Sequence, residues 1–181
     1  MPFTGLRKHV AGLSRDTRGV SAVEFAILAP LMVGLYLSGV EISEGISIDR
    51  KVTLTAGAMA NLASQSSTIS NADMTNILNA SASVLAPYST SKLKIVVTCL
   101  DIDANGAAKV KWSDTYQGTA RSVGSTVTIP SALAVPNTSL VLSEVTYSYQ
   151  PTVGHTITGT LTLSDKMYLS PRQSATITRT S

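Results

Sequence analysis

Apolar residues crowd one stretch near the start of the chain and alternate with polar ones through its second half. The run Phe25 to Val40, FAILAPLMVGLYLSGV, is 16 residues without a charge, and Gly19 to Val40 covers 22 with Glu24 as the single acidic or basic residue. At 1.5 Å per residue, 22 helical residues reach about 33 Å, close to the ~30 Å hydrocarbon thickness of a bilayer. A membrane span over about 20–40 follows. Past it, Ile42, Ile46, Asp49, Val52, Ala56, Met59 and Leu62 recur at intervals of three and four, which continues the helix in amphipathic form to residue 63. Its distal half needs cover, either from an outer domain folded back onto it or from homologous helices in an assembly.

Ser64 to Ser67 reads as a hinge. Ser70 with Asp73 three residues later forms a capping-box pattern for a helix ending before Pro87, with Met74, Ile77, Leu78, Ser81, Val84 and Leu85 on one face. The second half then changes period from 3.6 to 2. Leu93, Ile95, Val97 and Cys99 alternate with Lys94, Val96, Thr98 and Leu100, and the turn signal Asp103 to Gly106, DANG, precedes a second strand through Trp112. A third strand is predicted at Leu140 to Tyr149 and a fourth near Thr156 to Leu163, with Met167 to Leu169 as a terminal edge. Val123, Val127 and Ile129 mark a short extra strand. The predicted fold class is α+β: a long N-terminal transmembrane helix, one covering helix and a small four- or five-strand antiparallel sheet. The domain division is a leader at 1–19, a helix at 20–63, and an α+β domain at 64–181.

Composition changes the picture at one point. The formal charge of +3 resides in Arg7, Lys8, Arg15 and Arg18 against Asp16, while the rest of the chain holds equal numbers of acidic and basic groups. Basicity is therefore a property of the leader and gives no surface for nucleic acid. Basic residues before the span and Glu41, Glu44 and Asp49 after it place 1–19 in the cytoplasm and the C-terminal domain outside, by the positive-inside bias. Only 14% of residues are charged, as suits an exported or membrane-attached chain more than a cytoplasmic enzyme. A cleaved secretory signal is the competing reading of the same segment, but Glu24 interrupts its start and no small-x-small site precedes Glu41.

Glu24 is the informative residue, because a carboxylate at the edge of a span needs a partner, an interface or a proton. If the chain were cut after Gly19, the amine of Val20, with a pKa near 8, would pair with Glu24 in the same chain or a neighbour. RGVSAVEFAILAP, Arg18 to Pro30, resembles the opening of the TadE/TadG-like proteins of tight-adherence, Flp-type pilus systems, through Gly19, Ala22, Val23, Glu24, Phe25, Ala26 and Pro30. The likeness covers about 45 residues, and the small size favours the TadE-like side. It implies a minor pseudopilin-like component of pilus biogenesis, with Gly19 and Val20 as a prepilin-peptidase processing site. Glu24 and Phe25 would register the helix among other pilin-like subunits, and Pro30 would kink it. Implied partners are the prepilin peptidase, pilin-like subunits, inner-membrane assembly proteins and membrane lipid. The implied location is the bacterial inner membrane, single-pass, with a periplasmic C-terminal domain or association with the pilus. The alternative is an uncleaved, single-pass, membrane-anchored binding or adhesion protein.

Candidate chemistry is sparse. Asp101, Asp103 and Asn105 begin like an oxygen-ligand loop, but Ala107 and Trp112 occupy places where a calcium loop needs oxygen ligands, so a turn is expected. His9 and His155 are far apart in sequence, and Cys99 is the single cysteine, placed by alternation in the core. No nucleophile elbow, phosphate loop, dinucleotide fingerprint or zinc-protease motif occurs. The expectation is a protein without enzymatic activity, cofactor or metal. Tyr147 and Tyr149 are exposed if the opposite sheet face meets the helix, and core if it does not; the terminal edge strand is a possible docking edge, with Lys166 and Pro171 as possible edge protection.

Overall fold

A computed structural model describes residues 18–180; the leader, apart from Arg18 and Gly19, lies outside the described residues. The first element, α1, is a continuous helix over Arg18–Ser64. Two compact units divide it, one through Ile42 and one from Ser43 onward. In the first unit the helix exposes apolar side chains on every side, Phe25, Ile27, Leu31, Met32, Leu35 and Tyr36 among them. No buried stripe exists there, so ordinary globular packing does not account for its composition.

From Ser43 the same helix behaves differently. Ile48, Val52, Thr55, Ala56, Met59, Ala60 and Ala63 are buried, a stripe at helical spacing. The expected stripe was partly out of phase: Ile42 and Ile46 are exposed and Asp49 also faces outward, while Val52, Ala56 and Met59 are buried as expected. The reason is that full burial by the sheet begins only at Ile48, and small Ala56, Ala60 and Ala63 let the helix lie close. The C-terminal domain thus covers the distal part of its own helix.

After α1 come β1 (Thr68–Ile69) and α2 (Asn71–Ser83). The capping box is formed: the Ser70 side chain accepts from the Asp73 backbone N–H, and the Asp73 carboxylate accepts from the Ser70 N–H at 3.0 Å. The Ser70 hydroxyl also donates to Asp73 Oδ2 at 2.6 Å, and this bond first, the Ser70 N–H second, holds the Asp73 carboxyl below its usual range. Met74, Leu78, Ser81 and Ala82 are buried against the core.

The sheet comprises β2 (Leu93–Ile102), β3 (Ala108–Tyr116), β4 (Thr126–Val127), β5 (Ser139–Tyr149) and β6 (Leu161–Leu169), all antiparallel in the order β4-β3-β2-β5-β6. This is the α+β architecture that the patterning predicts. The DANG turn closes β2 to β3, with Asp103 Oδ1 accepting from the N–H groups of Asn105 and Ala107 and Gly106 at φ 81°. A bulge between Cys99 and Leu100 shifts the register, so that Cys99 pairs with Trp112 and Leu100 with Val110.

Both helices pack on one face. Leu93, Ile95, Val97 and Cys99 of β2 meet Val141, Val145, Tyr147 and Tyr149 of β5 in the core beneath them. The two tyrosines are therefore core, and the Tyr149 hydroxyl reaches Glu44 of α1 at 3.4 Å. At the hairpin end the opposite face has its own small core, where Leu100, Ile102, Val110, Leu140 and Leu142 are covered by Val127, Ile129 and Leu133.

Two expectations need correction. The fourth strand does not begin at Thr156: residues His155–Thr158 form a helical turn, α3, and Gly159 at φ 67° precedes a strand that runs unbroken from Leu161 to Leu169. The sheet is also not the whole β structure. A final strand, β7 (Thr178–Arg179), pairs parallel with β1. The tail bonds the end of α1 through Arg172 N–H to Ser64 O, and the segment before β1 through Thr178 N–H to Ser67 O, while Ile177 is fully buried.

Candidate functional site

The residues singled out in the sequence lie together on the first part of α1. Gly19 and Val20 occupy its first turn, Glu24 and Phe25 follow one turn later, and all four are exposed. Pro30 lies inside the helix and supplies no N–H to the carbonyl of Ala26, which removes one rung of its ladder. Gly19–Ser64 contains the one helix long and apolar enough to cross a membrane among the described residues, and its most apolar window has no buried residue. That is consistent with a single-pass membrane anchor joined to an α+β domain. Nothing in these positions gathers catalytic groups.

A second site becomes visible in the three-dimensional arrangement alone. On the sheet face away from the helices, beyond the small core at the hairpin end, lies a groove of about 490 Å³. Lys94 and Val96 of β2 and Glu144 and Thr146 of β5 form its floor; Gln117, Gly118, Thr119 and Arg121 form its wall. The register explains the floor, since Val96 pairs with Glu144 and Lys94 with Thr146. Strand alternation turns all four side chains to this face.

The wall is held down by specific contacts. Gln117 has φ 53°, turning the chain at the end of β3. A Cβ on Gly118 would stand 2.6 Å from Thr115 Oγ1, whose hydroxyl donates to Ile95 O at 2.9 Å, so glycine permits the close approach. The Arg121 N–H donates to Ser113 Oγ at 3.1 Å, and Ser113 in turn contacts Thr98 Oγ1 and donates to Val97 O.

Charge is concentrated here. Arg121 donates from Nε and Nη2 to Glu144 Oε2, at 3.0 and 2.6 Å, and Lys166 Nζ lies 2.8 Å from Glu144 Oε1. Burial works against ionising Glu144, but its bonds to Lys166 and Arg121, with their charges, outweigh burial and hold the carboxyl below its ordinary range. The carboxylate is thus fully engaged. Sequence reasoning placed Lys166 at an edge and passed over Arg121 and Glu144, because 23 and 22 residues separate the three and nothing local links them. The available signal is the change from apolar Leu140 and Leu142 to charged Glu144 on the same face of β5.

No protein-family model, curated protein or solved structure matches the chain. Cys99 is buried, and burial pushes its thiol pKa up, which makes it a packing residue. Among the described residues no three His, Cys, Asp or Glu side chains gather as a metal site would require.

Proposed function

We propose that the protein is a single-pass membrane-anchored binding or adhesion protein, with an α+β domain displayed outside the membrane. One observation carries this reading. A single helix changes character along its length, apolar and exposed on every side up to Ile42 and then buried along one stripe from Ile48 onward by a folded domain. Lipid satisfies the first part, and the domain satisfies the second. The positive-inside bias favours an outward domain. Alkaline extraction of membranes, combined with protease digestion of intact and permeabilised cells, tests it; release of the chain into the supernatant, or protection of its domain only on the cytoplasmic side, would overturn it.

A second reading has its own support. Gly19, Glu24, Phe25 and Pro30 stand on one uninterrupted helix in the arrangement that resembles TadE/TadG-like pilus-assembly proteins. On this reading the prepilin peptidase cuts after Gly19, and Glu24 registers the helix against partner pilin-like helices during tight-adherence pilus biogenesis. The N-terminal mass of the protein from its native membrane, with and without the peptidase, separates the two. A peptidase-dependent start at Val20 supports pilus assembly, and an intact N-terminus in both samples supports the uncleaved anchor. Glu24→Ala abolishes piliation in the pilus case and leaves an anchored module working.

A further inference from the structure

We propose that the groove on the open sheet face binds a small acidic saccharide of the uronic acid class, which deepens and rests on the reading of the protein as an anchored binding module. The lining holds two cations, Lys94 and Arg121, against one carboxylate, Glu144, a net charge of +1, and Lys166 of β6 neutralises Glu144 from the neighbouring strand. Arg121 commits Nε and Nη2 to Glu144 and retains Nη1, while Lys94 is exposed and forms no ion pair among the described residues. A ligand carboxylate would meet Lys94 and the remaining edge of Arg121 without displacing Glu144.

The remaining lining selects among carboxylates. Gln117, Thr119 and Thr146 offer amide and hydroxyl groups that both donate and accept, as a ligand rich in hydroxyls requires. No aromatic ring lines the groove, so a neutral sugar has no platform for its apolar face, and charge must supply the affinity. An acidic peptide is disfavoured for a different reason. The floor strands β2 and β5 are each paired on both sides, β2 between β3 and β5 and β5 between β2 and β6, so their backbones have no edge to offer an added strand. Recognition must come from side chains. The volume, near 490 Å³, lies in the range of small-molecule sites.

The site is built rather than incidental. The wall is fixed by the close approach at Gly118 and by the Arg121 N–H to Ser113 bond, and Glu144 holds the Arg121 guanidinium in place from below. Arg121 is thereby positioned before any ligand arrives, which reduces the ordering cost of binding.

The test uses the full chain in lipid nanodiscs, titrated calorimetrically with trigalacturonic acid, with neutral galactotriose, and with triglutamate as a carboxylate of non-sugar type. Binding of trigalacturonate in preference to both others is expected, and Lys94→Ala should weaken it by about tenfold or more, the scale of one lost charge-assisted bond. Lys109→Ala, at the far hairpin and paired with Asp103, should leave it unchanged. Equal binding of galactotriose, equal or tighter binding of triglutamate, no effect of Lys94→Ala, or no heat with any ligand would each overturn the proposal. Circular dichroism of Lys94→Ala guards against misfolding. Alkaline extraction of the membranes from which the chain is purified reports anchorage separately, so a chain that stays in the membrane but binds nothing removes the ligand and leaves the anchor.

Discussion

Glu144 holds two cations at once, because one carboxylate with 17% exposure serves both Arg121 and Lys166. Glu144→Gln keeps the shape and removes the charge, setting the two cations against each other. The expected loss is about 1 kcal/mol, since the solvent around Lys166 and Arg121 screens the larger value a fully buried pair would have. The pH dependence follows in sign. A carboxyl whose folded-state pKa is lowered stabilises the fold above its unfolded pKa of about 4.3, and that contribution disappears as pH falls through the lower folded value. Urea denaturation between neutral pH and the acid range should show a steeper loss of stability in the wild type than in Glu144→Gln, and parallel curves would contradict it. Gly118 gives a second residue-scale outcome. Gly118→Ala places a methyl on the Thr115 hydroxyl and breaks its bond to Ile95 O, at a cost of about 1 kcal/mol. Combined with Thr115→Ala, most of that cost should vanish, so a double-mutant cycle that adds without coupling would refute the contact as its cause.

At the scale of elements, legibility follows the distance over which each element is specified. β2 could be read because Leu93, Ile95, Val97 and Cys99 alternate within one segment, and α2 because its cap and its face lie within sixteen residues. The pairing of β1 with β7 could not, since two-residue strands carry no period and Thr68 meets Thr178 across the whole domain. The groove fails to show for the same reason: its charges meet through register and not through spacing. The α1 stripe is half legible: Val52, Ala56 and Met59 are buried at the expected spacing, but where burial begins is set by the sheet and leaves no local signal. The least legible element also makes a strong prediction. Ile177 is fully buried, its carbonyl accepts from Trp112 Nε1 at 2.9 Å, and Arg179 beside it grips Asp114 through Nε and Nη2 while Nη1 donates to Ile69 O. The tail thus fastens α1, β1 and β3 together. Ile177→Ala should cost about 2–4 kcal/mol, through lost burial and the cavity left behind. Thermal melts of the full chain in detergent check this, and an unchanged midpoint would mean the tail is not part of the cooperative core.

At the scale of the molecule, the anchored reading requires one helix to face two solvents, and this can be tested by placing the same charge at two equally exposed leucines. Leu31 and Leu54 are 59% and 58% exposed on α1, so side-chain burial within the protein does not distinguish them. Leu31 lies mid-way through the apolar segment, whereas Leu54 lies about 20 Å further along the helix beyond residue 40, on the side of α1 turned away from the sheet. If lipid surrounds the first unit, Leu31→Arg replaces a favourable insertion term with an unfavourable one, a change of about 3 kcal/mol near the bilayer centre. Leu54→Arg meets water in either state and changes little. Membranes carrying each variant, extracted with alkaline carbonate, should therefore retain Leu54→Arg in the pellet as fully as the wild type, while a large fraction of Leu31→Arg fails to insert. The pair also excludes a trivial explanation. A general intolerance of arginine on α1 would affect both variants. Retention of Leu31→Arg at wild-type levels would remove lipid as the solvent of residues 20–40, and with it the anchored reading on which the groove's exposure outside the cell depends.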